Sequence, residues 1–375
     1  MPARIDVASA REPLSPDAAS LLLWRTVLTG AVDVEAVDDP STADMVRMLA
    51  RRLTARCSAG WAASLLAPLT PLLGGPVVDP AAAAASVLLS RLTLAAQVTA
   101  LRRMTEAGLH PIVLKGLANA HRIYDMPTPR VLGDLDVLLP RAEIGAAIDV
   151  FTPLGYRFGS ARRTRWGFVS DASYVPFHSP DGITNIDLHV QPDAWPLPLG
   201  LAADDVRAGA RTLTITDEAI RMPCDEHVVL ICLSNIAKDR FDWRCMSKAI
   251  DVARLLVRHG QALDWHEIED RAARARLRRP LDALLALLTA LGLPAALVPR
   301  AAAPPRGLAG RTWRRIVADW RGVFAGELSG GDLLWRDLTL AQTPATFARF
   351  NWWRVKGLVR PADGVPPEAR ARGLA

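Results

Sequence analysis

Two aspartates, two residues apart in a run of leucine and valine, constrain this chain more than any other feature. The stretch reads Leu132-Gly133-Asp134-Leu135-Asp136-Val137-Leu138-Leu139. Alternation of this kind predicts a strand, on which Asp134 and Asp136 share one face and Leu135, Val137 and Leu139 share the other. Two neighbouring carboxylates on a mostly buried strand repel each other and resist desolvation. A divalent cation relieves both problems, and hard oxygen ligands suit Mg²⁺ or Mn²⁺.

A second run, Ile186-Asp187-Leu188-His189-Val190, alternates in the same way and places Asp187 with His189. Ser179-Pro180-Asp181-Gly182 ahead of it is a turn signal, so this run reads as the outgoing strand of a hairpin. An antiparallel position beside the first aspartate strand would bring Asp187 to Asp134 and Asp136. Three converging carboxylates are the donor set of a two-metal phosphoryl-transfer site, and the third acid is also a natural general base. Upstream, Val113-Leu114-Lys115-Gly116 ends a short strand and opens a helix. A glycine there lets backbone N–H groups approach a phosphate at a helix N-terminus, and Lys115 adds a positive charge. Arg130, four residues before Asp134, is placed to brace a phosphate or a carboxylate.

The period of the sequence divides the chain into four stretches. Residues 1–109 read as a helical segment, with Asp79-Pro80 opening a long helix that Gly108 ends. Residues 110–203 read as an α/β core with a mixed sheet. Residues 204–298 return to amphipathic helix, in stretches Asp225 to Lys238, Lys248 to His259, Trp265 to Ala275 and Pro280 to Leu291. Residues 299–375 form a basic, tryptophan-rich segment in which Arg311 to Phe324 reads as a helix. The fold class expected is α+β, with the sheet core between helical segments.

The net charge of +6 is concentrated after Pro304, where arginines outnumber acids. Such a tail fits either a solvated surface or a partner rich in phosphate. The four cysteines show no metal-binding spacing and read as reduced thiols of a cytoplasmic protein. The first residues, Met1 to Asp6, lack the apolar core of a signal peptide. The uncharged stretch Ser58 to Val78 is too broken by proline and glycine to span a bilayer, so no transmembrane segment is expected.

Taken together, Lys-Gly opening a helix, Arg-x-x-Gly-Asp-Leu-Asp on a strand, Leu154-Gly155-Tyr156 and Ile-Asp-Leu-His resemble the uncharacterised nucleotidyltransferase family. That family lies within the polymerase-β-like nucleotidyltransferase superfamily. The resemblance is close over about 110–190 and looser around Lys238, Asp239 and Asp251, where family members carry a helical substrate-side domain. It implies that Asp134, Asp136 and Asp187 form the metal triad and that Gly116 stands for the glycine of the superfamily's Gly-Ser motif. Leu117 stands where that motif has serine. The cofactor implied is Mg²⁺ or Mn²⁺, and the substrate an NTP such as ATP, held by Lys115, Gly116 and Arg130.

The reaction implied moves a nucleoside monophosphate from the NTP to an acceptor by a two-metal mechanism. Family members are often encoded beside peptide-modification genes, so a peptide or small molecule is the favoured acceptor. Two alternatives remain. One is a toxin-like transferase acting on tRNA, supported by the basic tail. The other is a non-catalytic nucleotide-binding protein of the same fold, supported by the missing serine.

Overall fold

The computed structural model describes residues 16–31, 40–126, 129–130, 132–159, 171–298, 305–324, 326, 328–359 and 364–374. Met1 to Asp6, Val131 and the linker residues Pro299 and Pro304 lie outside them. The fold is α+β. Helices α1 (Pro16–Thr29), α2 (Pro40–Thr54), α3 (Ala59–Leu66), α4 (Thr70–Leu73) and α5 (Pro80–Glu106) precede the sheet. Asp79 caps α5 by accepting from the Ala81 and Ala82 amides, and Pro80 occupies the first turn, where no N–H is needed.

The sheet holds β1 (Ile112–Val113), β2 (Leu135–Leu138), β3 (Arg157–Phe158), β4 (Phe177–His178), β5 (Asn185–His189), β6 (Arg211–Ile215) and β7 (Glu218–Met222). Their order is β3-β4-β5-β2-β1-β7-β6. Between the strands lie α6 (Gly116–Ile123), α7 (Ile144–Phe151) and α8 (Ala203–Ala208). After them come α9 (Asp225–Lys238), α10 (Met246–His259), α11 (Trp265–Arg274), α12 (Arg278–Ala290), α13 (Gly307–Arg321), α14 (Gly330–Leu340), α15 (Pro344–Val359) and α16 (Pro367–Ala371).

Two differences from the sequence reading matter. First, β5 runs parallel to β2, not antiparallel, with Asp136 opposite Asp187 and Leu138 opposite His189. The β4–β5 hairpin does form, but β5 is its inner strand and enters the sheet in the direction of β2. Second, residues 211–222 are not helical. They form the β6–β7 hairpin, and β7 pairs in parallel with β1. Its two-residue loop, Thr216-Asp217, takes positive φ at both positions (46° and 68°), the handedness that matches the twist of hairpin strands.

Buried side chains gather in two clusters. One joins α1 to α3 with α9, α10, α12 and α13, and centres on residues such as Trp24, Phe241, Leu256 and Trp320. The other joins the apolar face of the sheet to α5, α7 and α16. There Leu135 and Val137 of β2 pack with Ile186 and Leu188 of β5, leaving the aspartates on the opposite face. Helix α5 is, by length and composition alone, apolar enough to cross a membrane. Its second half packs in this cluster through Leu94, Val98, Leu101 and Met104, while Leu88, Leu89 and Leu92 are exposed.

The tail belongs to both clusters. Trp320 is fully buried, and its indole N–H donates to the Phe241 carbonyl. Trp335 and Trp352 are exposed. Val365 and Ala369 close over the sheet cluster, and Arg372 holds Asp149 at 2.8 and 2.9 Å.

Candidate active site

A cleft of about 610 Å³ opens between the polar face of the sheet, α3, α9 and α10. Lys115, Gly116, Arg130, Asp134, Asp136 and Asp187 all line it. The reason is local in each case. Asp136 lies on the polar face of β2, and Asp134 stands just before the strand, two residues back. Asp187 lies beside Asp136 because their strands pair in register. Lys115 and Gly116 stand where β1 passes into α6.

Asp136 is the centre of the polar network. Its Oδ1 accepts from Lys115 Nζ at 2.9 Å and meets His189 Nε2 at 3.0 Å. Burial alone would raise the Asp136 pKa, but the Lys115 and His189 contacts outweigh it and hold the carboxyl well below its ordinary range. Asp187 has the reverse balance. Burial first, then repulsion by Asp136 and Asp134, pushes it up to about 8. Its Oδ1 is buried without a hydrogen-bond partner among the described residues. Asp134 accepts from Asn185 Nδ2 at 3.3 Å, and Asn185 in turn bonds His178.

Donor atoms of Asp136, Asp187 and His189 lie within 4.8 Å of one another. An orphaned carboxylate oxygen, a second carboxylate and an imidazole nitrogen at this spacing fit a hard divalent cation. The cluster differs from the triad implied by the sequence in one member: His189 stands in it where Asp134 was expected. Asp134 flanks the cluster from the edge of β2 and reaches the cleft.

Gly116 has a spatial rather than a conformational role. Among the described residues, a Cβ added there would meet nothing closer than the Asp134 carbonyl, 3.9 Å away. The protein itself therefore leaves room for a side chain, and the space belongs to the cleft. The next residue, Leu117, is buried in the sheet cluster. A hydroxyl at that position would face the core, so the missing serine leaves the cleft wall of α6 unaltered.

Arg130 braces a carboxylate. Its Nε and one terminal nitrogen donate to the two oxygens of Asp251, at 2.9 and 2.6 Å. Asp251 is wholly buried and also accepts from Asn119 Nδ2 and the Tyr124 hydroxyl, each at 2.9 Å. This bidentate pair ties the strand approach to α10 and shapes the cleft floor. Lys238 pairs with Asp193 at 2.9 Å, and Lys115 and Lys238 hold that buried acid down at about 2 against the effect of burial.

Several residues in or beside the cleft lie outside the motifs read from the sequence. Lys248 lines the cleft and forms no ion pair among the described residues; its Nζ reaches only the Arg244 carbonyl, at 3.5 Å. Arg56, Cys57, Ser58 and Trp61 come from α3 and the turn before it, far from the aspartates in sequence. Asn185 carried a legible signal, since it precedes Asp187 by two and shares its face. Burial pushes the Cys57 thiol up to about 12, which disfavours the thiolate.

A model of the uncharacterised nucleotidyltransferase family matches residues 81–292, more than half of the chain, and the protein belongs to that family. No curated protein and no solved structure matches it.

Proposed function

We propose that this nucleotidyltransferase moves a nucleoside monophosphate from an NTP to an acceptor hydroxyl or phosphate by a metal-dependent route, releasing pyrophosphate. The observation that carries the reading is the pairing of Asp136 with Asp187 on adjacent strands, in one cleft with Lys115 and Gly116. Asp136 and Asp187, with Asp134 at their flank, would hold Mg²⁺ or Mn²⁺. When bound, the cations neutralise charge on the triphosphate and make an acceptor hydroxyl more acidic.

The chain's own groups divide the remaining work. The N–H groups at the start of α6 and the Lys115 ammonium take phosphate oxygens, as Gly116 leaves the approach open. Lys248 and Arg56 extend the positive wall. Asp187 takes the acceptor's proton as the acceptor oxygen bonds the α-phosphorus and the bond to pyrophosphate breaks. His189 and Lys115 orient Asp136.

A peptide or small metabolite is the proposed acceptor. The tRNA reading draws on the basic tail, of which four arginines are ion-paired within the chain: Arg336 with Asp319, Arg354 with Asp337, Arg315 with Asp332 and Arg321 with Asp17. The four thiols are all free, in keeping with a cytoplasmic location. The test is to incubate the chain with Mg²⁺, each labelled NTP and a cell extract, and to identify what becomes labelled. Unchanged Mg²⁺-dependent turnover in an Asp134→Ala, Asp136→Ala double variant would sink the reading.

A further inference from the structure

Resting on the nucleotidyltransferase reading, we propose that the part of the cleft lined by Trp61 and Trp243 is the nucleobase subsite. Base recognition would then reside partly in α3, which precedes the residues matched by the family model. Trp61 is only 4% exposed and lines the cleft, yet its indole N–H has no hydrogen-bond partner among the described residues. A buried donor left unmatched is costly unless a ligand supplies an acceptor. Every nucleobase carries such acceptors in its plane and offers a π face for stacking. Trp243, at the start of the turn into α10, lines the same cleft and is half-buried.

Each ring also has a guanidinium beside it. The Arg56 guanidinium lies 5.0 Å from the Trp243 ring centre, and that of Arg130 lies 6.0 Å from that of Trp61. Lys115, the start of α6 and Lys248 line the same cleft and offer positive charge to the triphosphate. A ligand that carries both a polyanion and an aromatic ring matches this lining. The segment from Ala55 to Trp61 reaches the cleft because α3 packs on α5.

Calorimetric titration of the full chain in Mg²⁺ separates the base from the phosphates. The probes are ATP, GTP, CTP, UTP and inorganic tripolyphosphate. The wild type is expected to bind at least one NTP about ten-fold tighter than tripolyphosphate, the size of one stacking contact. Trp61→Ala and Trp243→Ala are expected to lose that advantage and to bind tripolyphosphate as the wild type does. Trp61→Phe, which keeps a ring but removes the N–H, is expected to flatten differences among the four bases. Retention of tripolyphosphate binding serves as the control for folding, and the partly exposed Trp243 decides if Trp61→Ala fails that control. NTP affinity unchanged in both Trp243→Ala and Trp61→Phe overturns the subsite while leaving the nucleotidyltransferase reading intact. A wild type that binds neither NTP nor tripolyphosphate overturns both.

Discussion

Asp136 and Asp187 face each other in register on parallel strands, yet their protonation is driven in opposite directions. Lys115 and His189 hold Asp136 ionised, while burial and the two neighbouring aspartates raise Asp187 to about 8. An acid whose pKa is raised on folding binds more protons in the native than in the unfolded state. Its stability contribution is therefore intact below about pH 4 and lost progressively as pH rises toward about 8. Asp187→Asn removes the ionisable group while keeping the shape. In metal-free buffer at pH 8 the variant is expected to melt a few degrees above the wild type, with the gap closing by pH 5. Thermal melts at both pH values with chelator check this; a variant less stable than wild type at pH 8 contradicts it.

The Arg130–Asp251 pair makes a structural prediction. Removing one partner of a buried ion pair strands the other charge away from water. Asp251→Ala would also deprive Asn119 and Tyr124 of their acceptor. The expected loss is about 3–5 kcal/mol in urea unfolding. A loss below about 1 kcal/mol, typical of an exposed pair, would mean that the pair is solvated in solution.

Gly116→Ala separates space for a ligand from the needs of the fold. With nothing closer than 3.9 Å to the added Cβ, and alanine the better helix former, the melting temperature should hold or rise. Tripolyphosphate affinity should fall about ten-fold, because the methyl occupies the approach to the α6 N–H groups. A stable variant with undiminished phosphate affinity would move the triphosphate elsewhere.

Four of the tail's arginines are already paired with acids of the chain, which lowers the charge the tail can offer to RNA. Retention on RNA at low salt is expected to be weak and to lack the steep decline with added salt that phosphate neutralisation produces. Filter binding of tRNA across a salt series measures the slope directly. A slope corresponding to several released counterions would restore the tRNA acceptor.

The legibility of this chain followed the range of the interactions. Lys115-Gly116, Asp134, Asp136 and Asp187 could be picked out because alternation and helix starts are written into a few adjacent residues. Parallel pairing of β5 with β2 could not, since it depends on how a crossover of some fifty residues returns to the sheet. The β6–β7 hairpin did carry a signal, the alternation of Leu213, Ile215, Ile220 and Met222 around Thr216-Asp217, which a helical reading of the region obscured. Arg130 with Asp251, and Trp61 with the cleft, join residues far apart in sequence, where spacing carries no information. His189 could be assigned to the aspartate face, but only the register showed it bonded to Asp136 rather than Asp187.

The most direct test of the central claim follows the phosphorus. Wild-type protein, Mg²⁺ and cell extract are incubated with NTP labelled at either the α- or the γ-phosphate. Nucleotidyl transfer predicts that α-label enters the acceptor, γ-label leaves as pyrophosphate, and both are lost in Asp136→Asn and in Asp187→Asn. Transfer of γ-label to the acceptor, or α-label transfer that survives both substitutions, would contradict it.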